Sequence, residues 1–358
     1  MHVAMELERE NYQREIDGGK VDLYTLRNRN GMVVKATNWG AKVQQILVPD
    51  RAGQLGDVAL GYDTISQLRA GQASMGAFIG RYAGRIAQAR FTLNGRRYLL
   101  AANSGPNSLH GGDLGSRFRT FEATQIDAAS VVMGYTFEDG EEGFPGTLAL
   151  RVTYTVTDAN ELAIEYEAVA SDKPTVANFT THIFFNLAGH DRGDVLGHLL
   201  EVNADRFLPV NDALIPTGEL RAVRSTPMDF TRPVKIGERI GLRDEQLRIG
   251  NGYDHHYVLN KEGAELGFAA RVHDSASGRV MEVWTTEPGM QLYSGNYLEG
   301  KRPRDVGKGG AVYAIRAGLC LEPSHFPDSP NQPSFPTTVL NPGERRAGRT
   351  IYRFSVRQ

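Results

Sequence analysis

Between Leu148 and Ala168 the chain alternates strictly, and no other stretch narrows the possible folds as much. Leu148, Leu150, Val152, Tyr154 and Val156 fall on one face, with Arg151, Thr153 and Thr155 on the other. After Asp158-Ala159-Asn160 the alternation resumes, with Leu162, Ile164, Tyr166 and Ala168 set against Glu165 and Glu167. Successive strand side chains point to opposite faces, so a period of two on both arms predicts half-buried antiparallel strands. Asn94-Gly95, between Phe91-Thr92-Leu93 and Tyr98-Leu99-Leu100, predicts a second hairpin, because Asn-Gly supplies the two positive φ values of a tight turn. Ile351 to Val356 alternates again near the C-terminal end.

The remaining segments are short and punctuated by glycine, 40 of 358 residues, about half again the usual share of ~7%. Helical signals are few: Asp63 could cap a turn over Thr64 to Arg69, ended near Gly71, and Leu242 to Ile249 could form another. There is no repeating βα pattern, GxGxxG or Walker motif, which argues against nucleotide-binding α/β folds. No Pro/Ser-rich linker and no fixed-period repeat divides the chain. The expected fold is therefore all-β, a large antiparallel β-sandwich with few short helices. It is expected to span residues 1–358 as one domain, with residues 1–20 as a poorly ordered N-terminal extension.

Lys and Arg total 40 against 42 Asp and Glu, a net charge of −2, with no dense basic run to hold nucleic acid. The single cysteine, Cys320, excludes an internal disulfide framework and a cysteine-rich metal site, and fits a reducing compartment. No apolar h-region is visible and no stretch approaches the ~20 residues that span a bilayer. A soluble, cytoplasmic chain with no membrane partner is the expectation.

Six stretches place polar residues where a plain sandwich does not require them. In GLCLEPSHFPDSPN, residues 318–331, an apolar run breaks into Pro323, Pro327 and Pro330, which disfavour a helix and a central strand alike. Glu322 stands at that break, either turned to solvent or held rigidly as a general base. GAFIGRYAGRI, residues 76–86, offers Arg81 and Arg85, either of which could be a surface arginine packing its stem on the sheet. His110 lies in LHGG, where small neighbours let another molecule approach. His182 is embedded in THIFFNL, a core histidine or a proton carrier near neutral pH. In NGYDHHYVLN, His255 and His256 face opposite ways on a strand and would not share one metal ion, while Asp254 can accept hydroxyl hydrogen bonds or form a turn. WTTEPGMQLYSGNYL joins Trp284, Tyr293 and Tyr297 to Gln291, apolar rings and an amide of the kind a sugar site needs; Glu287, before Pro288-Gly289, is expected to face water.

Taken in order, GRYAGRI, NSGPNSLHGG, THIFFNL, YDHHYVL, GMQLYSGNYL and LEPSHFPDSPN resemble the aldose 1-epimerase (galactose mutarotase) family from about Asn38 to Val356. The resemblance implies a galactose mutarotase-like supersandwich with a cleft on one sheet, acting on a free aldose without metal or organic cofactor, as monomer or homodimer. It assigns Glu322 to the family's general-base position and His182 to the general acid. Arg85, His110, Asp254 and Gln291 fall on positions that contact the sugar. The chain departs from the family pattern at Gly84, where Asn usually stands, at Pro323-Ser324, where Thr-Gln is usual, and after LHGG, where Phe118 and Phe121 stand without the usual Trp.

The reaction implied is ring opening and reclosure: Glu322 removes the anomeric proton while His182 protonates the ring oxygen, and the roles reverse on closure. His182 must then begin protonated and Glu322 ionised, a state that mutual proximity would favour. Rival readings are a glycosidase using Glu322 with Asp254 as its carboxylate pair, a non-catalytic carbohydrate-binding protein, and a sugar-phosphate epimerase with Arg81 or Arg117 as extra cation.

Overall fold

The computed structural model describes residues 5–357. The alternating hairpin is its longest: Leu148–Thr157 pairs antiparallel with Glu161–Ala170 over ten positions, from Leu148 opposite Ala170 to Thr157 opposite Glu161. These strands lie within a nine-stranded sheet that runs, in spatial order, from Glu122–Gln125 to Val234–Lys235. Next to the hairpin comes Arg345–Val356, so the alternating C-terminal stretch lies inside the sheet, between Glu161–Ala170 and Arg279–Thr285. The Asn94-Gly95 hairpin also forms, with Arg90–Leu93 against Arg96–Leu99 and both turn residues at positive φ.

A five-stranded sheet faces the large one, ordered Arg221–Ala222, Arg206–Leu208, Asp254–Val258, Gly289–Tyr293 and Cys320–Ser324. A four-stranded sheet, from Leu23–Arg27 to Leu55–Asp57, extends the layer. One apolar core joins all three: Val152, Ile164 and Tyr352 of the large sheet pack with Tyr257, Met290 and Leu321 of the second and Val34 and Ile46 of the third. Burying such side chains contributes roughly 25 cal/mol per Å² of apolar area, which is what holds two sheets face to face.

Several expectations change. The strand carrying Glu322 does not stop at the first proline but runs to Ser324, with Pro323 inside it. It is the edge of its sheet and pairs there only with Gly289–Tyr293, so an imide without an N–H costs no ladder bond on the open side. Thr64, not Asp63, caps the first helix, Ile65–Ala70, by accepting from the Gln67 amide. The second expected helix is Glu245–Gly250, capped by Asp244. A further short helix, Ile236–Arg239, carries no sequence signal beyond its length of one turn.

Residues 1–4 of the expected N-terminal extension lie outside the described residues, and residues 5–20 contain regular backbone structure. Arg14–Ile16 and Gly19–Val21 form a hairpin, and Tyr12 is fully buried, its hydroxyl donating to the Tyr62 carbonyl at 2.5 Å. The polar composition of that segment hides three apolar anchors, Leu7, Tyr12 and Ile16, all in one cluster with Leu60 and Leu68. No helix among the described residues is long and apolar enough to cross a membrane.

Candidate active site

Strand register builds the site. Side chains of alternate residues on Cys320–Ser324, Gly289–Tyr293 and Asp254–Val258 share a face, and the pairing aligns them in rows. Glu322 stands opposite Gln291, and Gln291 opposite His256; one step along, Cys320 stands opposite Tyr293, and Tyr293 opposite Asp254. The intervening Leu321, Met290, Leu292 and Tyr257 point the other way into the core. One sheet face therefore carries the polar residues and the opposite face the apolar ones.

The walls come from three other segments. His182 follows the strand Thr180–Thr181, and its backbone is fixed on both sides, its amide donating to Ala77 O and its carbonyl accepting from the Gly76 amide, each at 2.8 Å. Arg85 and Leu109 are paired in a two-stranded ladder, which brings His110 beside Gly84. The Gly84 amide donates to His110 Nδ1 at 3.2 Å while His110 N donates to Gly84 O at 3.1 Å. Gly84 sits at φ +78, and a Cβ there would meet Pro327 at 3.0 Å, a tight contact that requires the proline loop to give by a few tenths of an ångström before a larger residue fits. Arg117, buried behind the turn, donates to the His110 and Gly112 carbonyls at 2.7 and 2.9 Å and holds the loop in shape.

Arg85, His110, His182, Asp254, Gln291 and Glu322 all line one cavity of about 240 Å³. His182 Nε2 lies 3.7 Å from Glu322 Oε1, both side chains being almost fully buried. Gln291 Nε2 donates to Asp254 Oδ1 at 2.7 Å, and Arg85 Nη1 stands 4.0 Å from Asp254 Oδ2. The Tyr293 and Tyr297 rings stack at 6.2 Å along one wall, with Tyr297 half exposed at the opening.

Burial dominates the electrostatics. It pushes the Glu322 carboxyl well above the usual range, Asp254 adding to the rise and Arg85 opposing it. It pushes the His182 imidazole down to about 4, and lowers His110 as well, with His182, Arg117 and Arg85 contributing. Asp254 is raised by burial, against Arg85 and Gln291. Proximity favours an imidazolium–carboxylate pair, and burial works against it by disfavouring the charged form of both groups. The neutral pair and the ion pair hold the same single proton, on Glu322 in one and on His182 in the other.

Other candidates fall elsewhere. Arg81 is not a surface arginine but a buried one, donating to the Pro145, Gly146 and Glu138 carbonyls. Neither Arg81 nor Arg117 lines the cavity, so the extra cation of the sugar-phosphate reading is missing from these two positions. Glu287 does not face water: it is buried and accepts from Tyr166 Oη at 2.6 Å while pairing with His325 Nδ1 at 2.8 Å. Trp284 packs on Phe268 of the large sheet, away from the site. His255 and His256 do face opposite ways, His256 lining the cavity and His255 packing on Phe207. Donor atoms of His110, His182 and Glu322 lie within 4.8 Å of one another, close enough for one cation. With the Gly84 amide on His110 Nδ1, the ring proton of neutral His110 sits on Nε2, which then offers a donor to the cavity and not a lone pair to a metal.

Fold and pocket together define a β-sandwich with a buried carboxyl and a buried imidazole facing each other in one polar cavity. Comparison with known proteins gives that class its name. Residues 22–353 match the family model described as aldose 1-epimerase. The galactose mutarotase of Bos taurus is 41% identical over 341 residues, 95% of this chain and 96% of that protein. The aldose 1-epimerase of Escherichia coli (strain K12) is 38% identical over 340 residues, 94% of this chain and 96% of that one. Among solved structures, an aldose epimerase homologue from C. elegans superposes with a TM-score of 0.86 at 31% identity, covering 94% of this chain and all of that one. A galactose 1-epimerase from Lactobacillus acidophilus NCFM gives 0.84 at 26% identity, over 97% and 98%. The chain belongs to the aldose 1-epimerase family.

Proposed function

We propose that this site interconverts the α and β anomers of a free aldose with Glu322 as base and His182 as acid, and that the remaining four residues hold the sugar. The reaction is the family's; the assignment of roles rests on one observation, a carboxyl and an imidazole facing each other at 3.7 Å in the cavity. A pyranose set against the pair from the cavity side presents its anomeric hydroxyl to Glu322 and its ring oxygen to His182. The pair's single proton then sits on His182, Glu322 takes the anomeric proton, and His182 delivers its own to the ring oxygen as the C1–O5 bond breaks. The aldehyde end rotates about one bond, and closure by the reverse transfers yields either anomer. No net proton enters or leaves.

Arg85 favours the ionised form of Glu322, and it is the cation placed to steady negative charge on oxygen as it develops. His110 Nε2–H adds a neutral donor, while Asp254 and Gln291, already bonded to each other, anchor hydroxyls and fix orientation. Galactose and glucose are the natural first substrates to try, in line with the galactose mutarotase among the relatives. The test is NMR anomer exchange on freshly dissolved α-D-glucose and α-D-galactose. Wild type should accelerate exchange, and Glu322→Gln and His182→Asn should not. Exchange by Glu322→Gln at the wild-type rate would remove the base assignment.

A further inference from the structure

The face of His182 turned away from the sugar has a partner that the mechanism above leaves unused. Cys320 Sγ lies 3.4 Å from His182 Nδ1, on the same strand as Glu322 and two residues before it. Register explains the contact. Cys320 and Glu322 share the cavity face of their strand, so one strand presents a sulfur to Nδ1 and a carboxyl to Nε2 of a single imidazole. Cys320 is fully buried, and burial pushes its thiol up, so it stays a neutral S–H rather than a thiolate.

An acid that gives its Nε2 proton to the ring oxygen must keep the other proton on Nδ1. That Nδ1–H needs an acceptor throughout the cycle, and the atom in place is sulfur. A thiol sulfur is a weak acceptor. A carbonyl or carboxylate in that position would hold Nδ1–H strongly, stabilise the imidazolium and make its second proton harder to release. We infer that Cys320 is a positioning residue that fixes His182 as the Nδ1–H tautomer and, by bonding it only weakly, keeps the imidazolium a strong enough acid to protonate a ring oxygen. In the free protein the same tautomer leaves the Nε2 lone pair toward the carboxyl of Glu322.

The titration of His182 is also felt by its other neighbours. His110 stands edge-on with ring centroids 5.4 Å apart, Tyr293 lies at 6.0 Å, and Phe184 at 5.0 Å. Arg117 lowers it from behind the His110 turn, and Arg85 and Asp254 act on its partner Glu322. The residue's own backbone also favours the charged ring, and none of the neighbouring side chains named here touches Nδ1, so a change at residue 320 alters the one side-chain contact there.

The inference rests on the acid role proposed for His182, and its test separates the two. The readout is the ¹⁵N chemical shifts of His182 Nδ1 and Nε2, followed over pH in wild type, Cys320→Ser and Cys320→Ala, beside the pH profile of anomer exchange. Wild type should show the Nδ1–H tautomer. Cys320→Ser, which puts a stronger oxygen acceptor at the same site, should raise the imidazole titration and, because the reacting pair carries its proton on His182, the basic limb of kcat by about half a unit or more. Cys320→Ala, which leaves Nδ1–H without an acceptor, should move tautomer population toward Nε2–H. Unchanged His182 shifts in both variants, or a wild-type Nε2–H tautomer, would overturn the inference. If wild type fails to accelerate anomer exchange, the functional reading falls, while the ¹⁵N shifts still decide what Cys320 does. Should either substitution unfold the protein, the wild-type tautomer and its S–H stretching band report on the same bond.

Discussion

Two acid–base pairs are buried to a similar degree in this molecule, and they are built in opposite ways. Lys308 and Asp57, each about 4% exposed, meet at 2.6 Å. Every donor of Lys308 is used, the other two on Gln44 O at 2.6 Å and Ala59 O at 2.7 Å. Asp57 in turn accepts from Ile46 N, Ala59 N and Gln45 Nε2. His182 and Glu322, at 8% and 4%, stand 3.7 Å apart, and neither Glu322 oxygen receives a hydrogen bond from a described residue. A buried charge with all its partners is architecture. A buried carboxyl lacking them keeps an unmet demand that a hydroxyl-rich ligand can fill.

That contrast is broken most sharply at Glu322. Replacing it with Gln keeps the shape and removes the base, so kcat for anomer exchange should fall ~10²–10⁴-fold, the usual worth of one positioned proton-transfer group. Thermal stability should hold or rise, because a neutral amide costs less to bury there than a carboxyl whose ionisation burial opposes. Lys308→Met should do the reverse. Removing one member of a satisfied pair strands Asp57, costing ~3–5 kcal/mol of stability in urea denaturation, with kcat per folded molecule unchanged. If Lys308→Met melts like wild type, satisfaction is not what distinguishes the two pairs. A smaller effect is expected at Gln291→Ala, which frees Asp254 from its 2.7 Å partner. KM should rise about tenfold with kcat nearly kept, the loss of one hydrogen bond to a charged group; an equal fall in kcat would place Gln291 in the chemistry instead of in binding.

What was legible in the sequence follows the range of the interaction. Period two is local, so the Leu148–Ala168 hairpin, the Asn94-Gly95 turn and the opposed His255 and His256 could be read directly. The family resemblance picked out Glu322 and His182, but residue chemistry alone left each with a plain structural alternative. The fact that favours the functional one, a 3.7 Å approach between residues 140 positions apart, is set by register across sheets and has no local signature. Glu287 misled for the same reason. Next to Pro288-Gly289 it reads as a turn residue, yet Tyr166 and His325, both distant in sequence, make its burial tolerable. Pro323 misled because strand position within a sheet is invisible locally, and only an edge strand accepts it. Cys320 carried no signal beyond its solitude, since its importance lies in standing one turn of the pleat from Glu322.

The smallest expected effect concerns the other buried histidines, and it extends the comparison from pairs to single groups. His198 is held down to about 4 and His255 and His256 to about 3, each mainly by burial. All three are neutral in the folded chain near pH 7, whereas in the unfolded chain they titrate near ~6.5. As pH falls below that value, the unfolded state takes up protons that the folded state refuses, so stability declines with falling pH until the folded-state values near 3–4 are reached. His255 is the clean probe, because it packs on Phe207 at the core face and lies outside the cavity. His255→Leu should make the decline of Tm between pH 6.5 and 4 shallower while leaving kcat/KM for anomer exchange within about twofold. The gain is limited because the Asp254 amide, which now donates to His255 Nδ1 at 3.1 Å, loses that acceptor, and this costs up to ~1 kcal/mol at neutral pH. The variant should therefore be slightly less stable than wild type at pH 7 and overtake it in acid. Parallel melting curves that never cross would mean that His255 is already protonated, or already solvated, in the folded protein.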